Sequence, residues 1–154
     1  MIRASKKRCY SKMTDNKVKT ISPSEAYNRI KEDPRALLID VRSNMEFLFI
    51  GHPVDAISIP WIDEPDWVIN PNFAADVRKL ILGGLDHDSG GHNVPIFLIC
   101  RSGKRSLEAG NLLLKEGFHD VYNISDGFEG ELNEDHHRSM LAGWRFDGLP
   151  WSQC

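Results

Sequence analysis

The chain has 154 residues, 41% of them hydrophobic, a length that holds one domain with a core large enough to fold without covalent staples. Its net charge of −3 hides an asymmetry: residues 1–19 hold seven Lys or Arg against Asp15 alone, leaving 12 basic and 21 acidic residues for the rest, which excludes bulk nucleic-acid binding. Three cysteines, Cys9, Cys100 and Cys154, are too few and too scattered for a disulfide framework, so a reducing compartment is expected.

Residues 1–18 read as a basic flexible tail and residues 19–154 as the domain. The tail lacks the apolar stretch of a secretory signal, and it fits a functionless leader at least as well as a mitochondrial presequence. No later run is long and apolar enough to span a bilayer, so a cytoplasmic protein without a membrane is expected. Ser22-Pro23-Ser24-Glu25 predicts a helix start, with Ser22 as N-cap, Pro23 in the first turn and Glu25 closing a capping box. That helix runs to about Lys31, burying Ala26, Tyr27 and Ile30, and Asp33-Pro34 stops it.

Ala36-Leu37-Leu38-Ile39 is too short for a helix and has no polar residue, as in a strand covered on both faces. Asp40-Val41-Arg42 follows, placing charge where open α/β sheets bind ligands. From Gly51 to Pro71 only Ala56-Ile57-Ser58-Ile59 reads as extended, the rest as loop. Phe73, Val77, Leu80 and Ile81 recur at helical spacing, ended by Gly83-Gly84. Asp86 to Asn93 is a polar turn expected to be mobile.

Val94-Pro95-Ile96-Phe97-Leu98-Ile99 predicts a strand delivering Cys100 at its carboxyl end. A helix is expected from about Ser106, with Leu107, Leu112, Leu113 and Leu114 facing the core and Gly117 at its C-terminus, then a strand over Val121-Tyr122-Asn123-Ile124. The alternation argues for a parallel α/β sheet. The stretch from Phe128 predicts a helix through Glu131 and Asn133, followed by an ordered coil in which Trp144 and Trp151 pack on the body.

Cys100 is followed by Arg101-Ser102-Gly103-Lys104-Arg105-Ser106. A cysteine between a buried strand and a helix has three aids to becoming a thiolate: the helix dipole, inward backbone N–H groups and nearby basic side chains. The bland alternative is an inert cysteine ending a core strand.

This loop, read with Leu38-Ile39-Asp40-Val41-Arg42, Glu46, Gly51-His52, Ala56-Ile57-Ser58-Ile59-Pro60 and Asp126-Gly127, resembles the rhodanese-like family over about residues 19–151. The resemblance implies an α/β fold, a central parallel sheet flanked by helices on both faces in a three-layer sandwich. It also implies thiosulfate sulfurtransferase or related persulfide chemistry, with Cys100 catalytic and Arg101, Ser102, Gly103, Lys104, Arg105 and Ser106 binding substrate. Asp40 and Arg42 then support the loop. Phosphatases on this fold carry an arginine where this chain has Ser106, which argues against their reaction.

Two departures from the family stand out. His52-Pro53-Val54-Asp55 carries Asp where a glycine is usual, and Asp63-Glu64-Pro65-Asp66-Trp67 forms an acidic rim. The six histidines lack metal-ligand spacing, so neither metal nor other cofactor is assigned. The expected partners are a small-molecule sulfur donor and acceptor, with a protein thiol as a further acceptor, and the chain is expected to be a monomer. The rival readings are a non-enzymatic persulfide carrier or interaction module, and a phosphatase or arsenate reductase.

Overall fold

The computed structural model describes residues 16–84 and 94–154; Cys9 and the turn expected over 86–93 lie outside them. In chain order the elements are β1 (Lys19–Ile21), α1 (Pro23–Glu32), β2 (Leu37–Asp40), a π-helix (Glu46–Ile50), β3 (His52–Pro53), β4 (Ile57–Ser58), β5 (Ile62–Asp63) and β6 (Val68–Ile69). They continue with α2 (Phe73–Gly84), β7 (Ile96–Ile99), α3 (Lys104–Lys115), β8 (Val121–Ile124) and β9 (Trp151–Ser152).

Five strands form one parallel sheet in the order β1-β8-β7-β2-β4. Side chains alternate across it, as the strand period requires. Ile39, Ile96, Leu98 and Val121 pack with Phe73, Val77 and Ile81 of α2 and with Ala109 and Leu113 of α3. Leu38, Phe97, Ile99, Tyr122 and Ile124 pack on the opposite face with Ala26 of α1, Phe128 and Trp144. The sheet is therefore covered on both sides, which is why its strands are apolar throughout.

Ser22 caps α1 as expected, its hydroxyl accepting from the Glu25 N–H at 3.2 Å. The Glu25 carboxylate does not complete the box and lies 3.5 Å from Arg29 instead. α3 departs more from expectation. It begins at Lys104 rather than about Ser106, because Gly103 takes φ +101 and serves as its N-cap. Its core face is Ser106, Ala109, Gly110 and Leu113, whereas Leu107 is 40% exposed. A Cβ on Gly110 would sit 3.0 Å from Val18 and 3.3 Å from Val121, so small residues let this helix lie close to the sheet. The helix ends in a Schellman motif, with Gly117 at φ +97 and the Phe118 N–H on the Leu113 carbonyl.

No helix forms through Glu131 and Asn133. The N–H groups of Phe128, Glu129 and Gly130 donate to Cys100 and Arg101 carbonyls, not to the preceding turn of their own segment. The rest of this segment is ordered coil, with Trp144 1% exposed and its Nε1 on the Pro150 carbonyl at 2.8 Å. Asp55 adopts φ +67, the left-handed turn conformation expected of Asp in that place. Among the described residues, no helix is long and apolar enough to cross a membrane.

Candidate active site

Strand β7 is buried at every position and ends at Cys100, itself 1% exposed at the carboxyl edge of the sheet. The chain turns at Gly103 and enters α3, so Arg101 to Gly103 form the turn while Lys104, Arg105 and Ser106 lie in the first helical turn. Gly103 donates its N–H to Cys100 Sγ at 3.1 Å. Ser106, fully buried, places Oγ 3.2 Å from the same sulfur. No side chain caps α3, so its positive dipole end faces this turn without a local carboxylate to offset it.

The loop's basic residues divide into two kinds. Arg101 and Lys104 are exposed, and among the described residues neither makes an ion pair within 4 Å. Arg105 is held by two parallel hydrogen bonds to Glu46, at 2.8 and 2.9 Å. This fork geometry is the strongest form of Arg–carboxylate pairing. Glu46 also accepts from Ser43 Oγ at 3.1 Å, which ties the π-helix to the end of β2. The Glu46–Arg105 bonds raise the pKa of the guanidinium. Burial pushes the Glu46 carboxyl up, but the hydrogen bonds and charge of Arg105 outweigh burial and hold it below its ordinary range.

Because the folded pKa of Glu46 is depressed, its contribution is present above the unfolded value of about 4.3 and is lost as pH falls through the lower folded value. Glu46→Gln is therefore expected to lower stability at neutral pH by about 1.5–3 kcal/mol, the range for hydrogen bonds to charged groups. That difference from the native chain is expected to close as the pH falls toward and below the ordinary glutamate range. Thermal midpoints of both proteins across acid pH check it; a gap that does not change with pH contradicts it.

Asp40 and Arg42 are both fully buried and joined at 2.9 Å (Nε–Oδ1) and 2.7 Å (Nη2–Oδ2). Arg42 also donates to the Gly51 carbonyl at 2.6 Å and stacks on Phe128, its Cζ 4.6 Å from the ring centroid. Phe128 in turn donates its N–H to the Cys100 carbonyl at 2.8 Å. The pair thus reaches the loop through Phe128.

Gly127 has φ +62, and a Cβ there would lie 2.6 Å from the carbonyl carbon of Arg101. Gly127→Ala must displace the Cys100 turn or the strand end behind it. Overpacking of this kind costs about 1–3 kcal/mol. Turnover is expected to fall about a hundredfold, as a misplacement near 1 Å can produce. Unchanged kinetics on a folded variant would contradict the close approach.

Glu46 and Asn123 join this site although the sequence assigned neither a role in it. Asn123 left a signal, being the one polar residue in an otherwise apolar strand. The acidic rim forms the β5–β6 hairpin, with Asp63 accepting from Asn44 N at 3.1 Å and Nδ2 at 2.9 Å, and Trp67 58% exposed. Beside it on the sequence, His52 stacks on Phe47 at 3.8 Å and places Nδ1 2.8 Å from the Phe47 carbonyl. Among the described residues no group of three or more His, Cys, Asp or Glu has metal-binding geometry.

Residues 22–134 match the family model described as Rhodanese-like domain. The Rickettsia prowazekii protein RP600 is 35% identical over 140 residues, covering 87% of this chain and 97% of its own. The crystal structure of Rv0390 from M. tuberculosis superposes with a TM-score of 0.75 at 33% identity, over 90% of this chain and 99% of that one. The polysulfide-sulfur transferase homodimer of Wolinella succinogenes shares the fold at a TM-score of 0.53 and 24% identity, over 99% and 90% of the two chains. The buried β7 strand, the cysteine turn it delivers and these matches agree, and the chain belongs to the rhodanese-like domain family.

Proposed function

We propose that this chain is a sulfurtransferase that moves sulfane sulfur from an anionic donor such as thiosulfate, through a persulfide on Cys100, to cyanide or a thiol. The observation that carries the reading is the Gly103 N–H aimed at Cys100 Sγ from 3.1 Å, inside a turn that opens onto a helix with no side-chain cap. Such a turn offers donors to sulfur carrying negative charge.

In the first half-reaction the Cys100 thiolate attacks the outer sulfur of thiosulfate. A bond forms between the two sulfurs, the donor's S–S bond breaks, and sulfite leaves with the electron pair. In the second, cyanide or a thiolate attacks the outer sulfur and Cys100 departs as thiolate. Neither step removes a proton from carbon or water, so no general base is required. Arg101 and Lys104 are the exposed cations that attract the donor. Ser102 and Gly103 shape the turn, and Arg105, through Glu46, fixes its far end; Ser106 contacts the reacting sulfur.

Thiosulfate:cyanide turnover tests the reading, run beside hydrolysis of an aryl phosphate. Sulfur transfer without phosphate release is expected. Phosphate release without sulfur transfer contradicts it, and single loading by thiosulfate without turnover turns the chain into a carrier.

A further inference from the structure

Asn123 is 4% exposed, with Val121, Tyr122 and Ile124 as its neighbours in β8. Its Nδ2 donates to the Gly103 carbonyl at 3.2 Å, and its Oδ1 accepts from Ser106 Oγ at 2.5 Å. Each contact enforces the other. The Gly103 carbonyl can only accept, so the amide nitrogen faces it and the amide oxygen faces Ser106. An amide oxygen also only accepts, so the one hydroxyl proton of Ser106 is committed to Asn123. Yet Ser106 Oγ lies 3.2 Å from Cys100 Sγ. With its proton engaged, the hydroxyl can accept from a thiol S–H but has nothing to donate to a thiolate.

We propose that Asn123 is a positioning residue for Cys100: by holding the Ser106 proton it withholds one hydrogen bond from the thiolate and so keeps the attacking sulfur nucleophilic. The Gly103 N–H supplies a donor to that sulfur while Ser106 does not. A thiolate given further donors forms more readily but attacks less well, its intrinsic nucleophilicity falling with basicity. The inference rests on Cys100 being the reactive sulfur of the proposed reaction. Its test reads alkylation, which needs no sulfur transfer, so the two ideas fail separately.

The experiment is the iodoacetamide alkylation rate of Cys100 against pH, in a chain carrying Cys9→Ser and Cys154→Ser. Asn123→Leu removes the acceptor at nearly constant shape and frees the Ser106 proton to turn toward sulfur. A hydrogen bond to a charged group makes the thiolate about tenfold easier to form, and the accompanying loss of nucleophilicity takes back about threefold. The acid limb is therefore expected to rise about threefold while the alkaline plateau falls about threefold, so that the two profiles cross. A residue that merely supports the loop moves both limbs in one direction. In a Ser106→Ala background the Asn123 change is expected to leave both limbs in place.

Profiles that do not cross, or that cross equally without Ser106, overturn the proposal. Should Asn123→Leu fail to fold, Ser106→Ala alone decides. The hydroxyl gives the thiolate nothing, so the acid limb is expected not to fall; a drop of about threefold with a rise of the alkaline plateau shows that it does donate to sulfur and overturns the proposal.

Discussion

Cys100→Ser is expected to abolish sulfur transfer while leaving the fold in place. The side chain is 1% exposed and sits between the Gly103 N–H and the Ser106 hydroxyl, and a serine oxygen satisfies both neighbours at nearly the same volume. Stability is thus expected to change by no more than about 1.5 kcal/mol, the bound for a swap of similar volume. Chemistry is another matter, because a hydroxyl with no base beside it is a poor nucleophile toward sulfur. The described site offers no such base: Ser106 has its proton on Asn123, and Glu46 is engaged by Arg105. Cys154 is exposed at the far end of the chain, its N–H on the Leu48 carbonyl, and Cys154→Ser is expected to keep turnover. Kinetics of both variants, with circular dichroism for the fold, check this. Turnover in Cys100→Ser, or its loss in Cys154→Ser, contradicts the assignment.

Arg42→Ala is expected to be the most destabilising single truncation considered, costing about 3–5 kcal/mol, the range for breaking a buried ion pair. The carboxylate left behind, Asp40, is fully buried, and Arg42 provides it with hydrogen bonds at 2.9 and 2.7 Å. The same change strips the Gly51 carbonyl of its donor and uncovers the ring of Phe128, the residue whose backbone N–H donates to the Cys100 carbonyl. Domains of this size have stabilities of about 5–15 kcal/mol, so a large fraction is at stake. Denaturant unfolding measures it. Asp40→Asn in the Arg42→Ala chain is expected to recover part of the loss by removing the unpaired charge; a loss below about 1 kcal/mol for Arg42→Ala contradicts the burial argument.

The parts of this fold legible in the sequence are those fixed by local physics. Ser22 before Pro23 announced α1 through a cap, and the apolar runs at 36–39 and 94–99 announced strands, the first of them as one covered on both faces. Cys100 stood out because a strand, a glycine turn and basic residues met around it. What the sequence hid depended on contacts between distant segments. Of the α3 leucines expected to face the core, Leu113 is buried and Leu112 and Leu114 pack against the core, whereas Leu107 lies at the surface and Ala109 and Gly110 face the sheet in close packing.

The helix expected through Glu131 and Asn133 lost its N–H groups to the Cys100 and Arg101 carbonyls. The π-helix at Glu46–Ile50 and the two-residue strands β3, β5, β6 and β9 are shorter than any periodicity can reveal. At the site, the turn carrying Cys100 was readable, but two of the groups that orient it were not. Glu46 reaches Arg105 across 59 residues and Asn123 reaches Ser106 across 17, and although Glu46 stands in the resemblance and Asn123 interrupts an apolar strand, neither residue's partner is written beside it.

The most direct test of a persulfide on Cys100 is mass spectrometry of the intact chain and its peptides after exposure to thiosulfate. The account predicts one added sulfur atom on the peptide containing Cys100, removed by cyanide with release of thiocyanate and absent from Cys100→Ser. A chain that gains no sulfur, or that gains it on Cys9 or Cys154, contradicts it.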